Sequence, residues 1–143
     1  MKNILLYIWQ LPQNVLGLLL ILALRAEKKA GSSGNITICY WQFARNGWFS
    51  SFIAAAAFGV YILTPDYNLS PLNLERMLRH EYGHTIQSRA WGPLYLIAVG
   101  IPSAAGNLWS RRFHKNWSAK ERQHWYYNRW PEKQADELGG VKI

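Results

Sequence analysis

Apolar residues gather in two long runs along the chain. The first, ILLYIWQLPQNVLGLLLILAL (residues 4 to 24), carries no charge and matches the roughly 20 apolar residues that a bilayer-spanning helix needs. Gln10, Pro12, Gln13 and Asn14 interrupt its first half. Pro12 removes an amide donor and clashes with the preceding turn, which predicts a kink there. The run reads as an N-terminal hydrophobic anchor helix, either spanning the bilayer or lying in its interface. A signal peptide fits less well, because no A-x-A-like cleavage site follows. The second run, LYLIAVGIPSAAGNLW (94 to 109), is broken by Gly100, Pro102, Gly106 and Asn107. As a helix it would be only about 24 Å long, short of the roughly 30 Å hydrocarbon core. It is expected to be buried in the protein or to dip into the interface without crossing.

Between and after these runs the pattern changes. AGSSGN (30 to 35) reads as a flexible break that ends the anchor. ITICYWQF (36 to 43) is rich in β-branched and aromatic residues and predicts a strand, with ARNGW turning the chain. SFIAAAAFGVYIL (51 to 63) is ambiguous: its alanines favour a short buried helix, its Gly59–Ile62 end a returning strand. TPDYNLSP is a loop whose Ser70 and Pro71 suit an N-cap and a first helical position. The spacing predicts a helix from about Pro71 to about Ala90, stopped by WGP, and a short closing helix from Pro131 to Gly139 or Gly140. The expected fold is α+β and predominantly helical, with an anchor or interfacial helix over residues 1–30 and one compact body over 36–143.

Composition narrows the partners. Sixteen Lys and Arg against eight acids give a formal charge of +8, which favours an anionic surface. Arg25, Lys28 and Lys29 follow the first apolar run, so the positive-inside rule places the body on the cytoplasmic side of a bacterial inner membrane. Cys39 is the one cysteine, which excludes an intramolecular disulfide and a Cys-rich zinc cluster. Residues 109 to 130 interleave basic and aromatic side chains, a surface suited to anionic lipid and, less well, to nucleic acid.

The chemistry lies in RHEYGHTIQS (79 to 88). On a helix, His80 and His84 at i and i+4 lie one above the other and can turn their imidazoles toward one Zn2+ ion. Glu81, beside them, can take a proton from a water polarised by that ion. This is the logic of H-E-x-x-H. A catalytic zinc needs a third protein ligand and an open position. Glu132 and Asp136 in EKQAD share a face of the closing helix. One can bind the metal while the other accepts a hydrogen bond from a ligand histidine. His124, Tyr126, Tyr127 and Arg129 precede Glu132 and are candidate donors to a developing oxyanion.

Together the two motifs resemble those of gluzincin metallopeptidases, in which H-E-x-x-H pairs with a downstream glutamate ligand and an aspartate four residues later. Glu132-Lys-Gln-Ala135-Asp136 is similar to the E-x-x-A-D of the membrane-associated group that includes CAAX prenyl peptidases and bacterial heat-shock membrane peptidases. The resemblance implies a minimal zincin-like body with His80, His84 and Glu132 as zinc ligands, Glu81 as general base, Asp136 as the partner of a ligand histidine, and a peptide or protein substrate. The chain as a whole is also similar to small bacterial proteins with a WQLPQN-type start, HEYGHTIQS, GPLYL and an E-K-x-A-D or E-K-x-A-N ending, a likeness that implies no particular reaction.

The leading expectation is therefore a membrane-associated zinc-dependent hydrolase, a metallopeptidase. Its alternatives are a zinc-stabilised membrane protein without catalysis and a basic, aromatic binder of anionic lipid or nucleic acid. Any metal reading requires His80 and Glu132 on the same side of the membrane.

Overall fold

The structure, a computed structural model, describes residues 2–33, 36–47 and 54–141. In chain order these form α1 (Lys2–Trp9), α2 (Leu11–Leu24), β1 (Glu27–Ser33), β2 (Ile36–Phe43), β3 (Ala56–Phe58), β4 (Tyr61–Pro65), α3 (Pro71–Trp91), a 3-10 turn (Gly92–Leu94), a π-helical turn (Leu96–Gly100), α4 (Ile101–Phe113), α5 (Ala119–Tyr127) and α6 (Glu132–Gly139). The fold is α+β and mostly helical, as expected.

The four strands make a mixed sheet in the order β1-β2-β4-β3. β1 and β2 are antiparallel, β2 and β4 parallel, and β3 and β4 antiparallel. Alternation along β2 and β4 sends side chains to two covered faces, as the period of a strand requires. Ile38, Tyr40 and Ile62 pack with Leu78 and partly buried Leu74 and Tyr82 of α3. Phe43 and Leu63 pack with Ile21 and partly buried Leu20 and Leu24 of α2. The sheet thus lies between α2 and α3, and α6 packs on α3.

Three expectations change. The first apolar run is not one helix. It breaks at Gln10 into helices of 8 and 14 residues, and Pro12 sits in the first turn of α2, where its missing amide costs little. No helix among the described residues is long and apolar enough to cross a membrane, so the spanning-anchor form is unsupported. Second, the expected break over 30 to 35 is mostly strand: β1 runs to Ser33 and pairs Ala30 with Cys39 and Gly31 with Ile38. Small residues suit the close approach there, since a Cβ on Gly31 would lie 2.4 Å from a Leu78 methyl. Third, the described part of 51 to 63 resolves the ambiguity toward strand, as the β3–β4 hairpin around Gly59 (φ +65°). Residues 51–53 lie outside the described residues.

The motif helix forms where its caps predict. Ser70 Oγ accepts the amide of Asn73 at 3.4 Å, Pro71 opens the first turn, and Gly92, with positive φ, ends the helix. α6 likewise ends at Gly140 in the left-handed conformation.

Candidate metal centre

α3 and α6 approach closely enough to bring their polar faces together because small residues line the contact. A Cβ on Gly83 would lie 1.9 Å from the Ala135 carbonyl oxygen, and one on Gly139 would lie 2.0 Å from that of Arg79. Only glycine fits where backbone meets backbone this tightly. On α3, His80 and His84 flank Gly83. On α6, Glu132, Ala135, Asp136 and Gly139 form the facing stripe, and all four are buried.

This contact assembles the residues named from the sequence. His80, His84 and Glu132 form a buried group that could hold a metal ion. Their converging atoms are His80 Nε2, His84 Nε2 and Glu132 Oε2, separated by 3.2 Å between the nitrogens and by 3.0 and 3.5 Å from nitrogen to oxygen. Asp136 Oδ1 lies 2.7 Å from His80 Nδ1. Glu81 is buried beside them, and its Oε2 has no hydrogen-bond partner among the described residues.

One residue was missed. Gln87 Oε1 lies 2.7 Å from His84 Nδ1, while its Nε2 donates to the Pro131 carbonyl and to Gln134 Oε1, both at 2.9 Å. Those two acceptors fix which end of the amide faces His84. Nδ1 must therefore carry the proton, leaving the Nε2 lone pair directed at the centre. Asp136 sets His80 in the same way. Gln87 stands one helical turn after His84, a spacing that hinted at its role, but its acceptors come from the far end of the chain.

The electrostatics favour a cation. Burial opposes charge on His80, yet hydrogen bonding to Asp136 and Glu132 and the nearby Glu81 charge outweigh it and push its pKa up to about 10. The same carboxylates would favour a divalent ion at its Nε2. Burial also opposes charge on Glu132, but the His80 and His84 rings beside it win and hold its carboxyl well below the usual range. Glu81 goes the other way: desolvation raises it above an ordinary carboxylate, only partly countered by the two histidines. Two carboxylates side by side are thus driven apart in basicity, the pattern of groups given different tasks.

Of the four candidate oxyanion donors, two approach the centre. The Tyr127 ring meets that of His80 edge-on at 5.1 Å. Tyr126 OH shares a hydrogen bond with Ser103 Oγ at 3.0 Å, and burial together with the Glu132 charge raises its phenol well above the usual range. His124 instead bonds Asn128, and the Arg129 guanidinium lies over the Trp125 ring. Glu132 Oε1 is likewise buried with no hydrogen-bond partner among the described residues.

Comparison with known protein families, curated proteins and solved structures gives no match to this chain.

Proposed function

We propose that the protein is a zinc-dependent hydrolase and that its substrate is a peptide bond. The observation that carries the metal is the triangle of His80 Nε2, His84 Nε2 and Glu132 Oε2, with sides of 3.0 to 3.5 Å. Three ligands on tetrahedral zinc, with bonds of about 2.0 to 2.1 Å, stand about 3.3 Å apart. Two imidazoles and one carboxylate also suit zinc in donor chemistry and leave a fourth position for water.

When bound, zinc supplies Lewis-acid polarisation of water and of the carbonyl under attack. The chain's own residues do the rest. Glu81 is not one of the three ligands, and its free Oε2 and raised pKa suit a group that accepts a proton from the attacking water and passes it to the leaving nitrogen. Asp136 and Gln87 hold the histidine tautomers. Tyr126 or Tyr127 can donate to the tetrahedral oxyanion.

The peptide substrate is supported by the paired HEYGH and EKQAD motifs. β3 is an outer strand of the sheet, and Tyr95 OH binds its Ala57 carbonyl at 3.1 Å. Burial first, then the Glu81 and Glu132 charges, raise the Tyr95 phenol. In the test, purified protein is given an unfolded protein substrate such as casein, with and without a chelator. Cleavage should stop on chelation and return with added zinc. Cleavage indifferent to chelation would refute the reading.

A further inference from the structure

The N-terminal helices are inside out for a protein surrounded by water. The inner face of α2 carries Gln13, Asn14, Gly17 and Ile21, whereas Leu19 and Leu22 are 58% and 66% exposed. The polar side chains are turned inward and hydrogen-bonded. Ser88 Oγ of the motif helix donates to Gln10 Oε1 at 2.8 Å and accepts from Gln13 Nε2 at 3.0 Å. Gln13 also donates to the Gly92 carbonyl, and Asn14 donates to the Tyr7 carbonyl and accepts the Val60 amide. Trp9 Nε1 is satisfied by the Arg89 carbonyl. A soluble helix shows the opposite arrangement. Polar groups turned inward and, apart from Gln13 Oε1, hydrogen-bonded among the described residues, with apolar ones turned out, are the arrangement hydrocarbon favours.

A second apolar surface begins where the first bends. Trp9 packs on Gly92, close enough that a Cβ there would lie 2.1 Å from its ring. From Gly92 the chain runs through the 3-10 and π-helical turns into α4, leaving Ile97 and Leu108 67% and 68% exposed. Residues 3 to 24 and 90 to 110 contain no charge, while Lys2 and Arg25 bracket the first stretch and Arg89, Arg111 and Arg112 the second.

We infer that α1, α2 and the 92–113 segment together insert into one leaflet of an anionic bilayer. The bracketing cations complement lipid phosphates at headgroup depth, whereas a second copy of the chain would set like charges against each other. α2 is only about 21 Å long, too short to span the roughly 30 Å core, and Arg25 at its end keeps it near the headgroups of one leaflet. The inserted helices clamp the C-terminal end of the motif helix through Ser88 and Gly92, holding the metal centre at the membrane surface.

The test is flotation of the full chain with vesicles of phosphatidylcholine alone or mixed with phosphatidylglycerol. The wild type should float, more with the mixture, and added salt should weaken but not abolish binding. Leu19→Glu combined with Ile97→Glu should reduce the bound fraction at least about ten-fold, with circular dichroism and metal content unchanged. His80→Ala should float like the wild type, which separates this inference from the metal reading. A wild type that stays with neither vesicle overturns it. So does a lipid-free dimer that the two glutamates dissociate, since the apolar surface would then serve a second copy.

Discussion

Glu81→Gln is expected to retain zinc yet lose about 10² to 10⁴-fold in hydrolysis, the usual contribution of a general base. Glutamine keeps the shape of the side chain but cannot take the proton. Glu132→Ala is expected to lose both metal and activity. It removes the Oε2 that both histidine Nε2 atoms face and leaves two imidazoles to hold the ion alone. Asp136→Ala should fall between, weakening zinc by roughly 10 to 100-fold through a loosened His80 ring. Metal content by mass spectrometry and chelator competition order the three without knowledge of the natural substrate. If Asp136→Ala released zinc while Glu132→Ala kept it, the two roles would be exchanged and the ligand set would be wrong.

The second large effect needs no change to a functional group. Gly83→Ala adds one methyl, but it would stand 1.9 Å from the Ala135 carbonyl oxygen, and a helix backbone cannot yield as a flexible side chain can. α3 and α6 must separate, which is expected to cost about 1–3 kcal/mol of stability and to pull Glu132 from both histidines. Zinc affinity and thermal midpoint should fall together. An unchanged midpoint with wild-type zinc affinity would show that the helix contact does not set the centre.

Much of this was legible because its signals were local. Ser70-Pro71 cap the motif helix, i and i+4 spacing puts His80 over His84, and the same spacing pairs Glu132 with Asp136. What escaped was non-local. Gln87 has a defined role only once Pro131 and Gln134 are folded against it. Gly83 and Gly139 look like mild helix weaknesses until α3 and α6 are brought together. Residues 30 to 33, small and polar enough to suggest a break, become strand because β2 supplies a partner, with Leu78 packed against Gly31. Residues 4 to 24 misled for a different reason. Hydropathy averages around a helix, so it hid that the polar minority, Gln10, Gln13 and Asn14, would turn inward as a group and break the run in two.

The metal centre and the N-terminal helices meet at α3. Its first part packs on the sheet through Leu74 and Leu78, its middle carries His80, Glu81 and His84, and its end is bound by Gln10 and Gln13. A site held on one helix by core, facing helix and N-terminal helices has little freedom to lose its geometry. Such preorganisation is what metal ligands and a general base require.

The central claim is that His80, His84 and Glu132 hold one zinc. The most direct measurement is the metal content of the purified full chain, wild type beside His80→Ala and His84→Ala. About one zinc per chain in the wild type and none in either variant is the predicted result. Equal zinc in all three would contradict it.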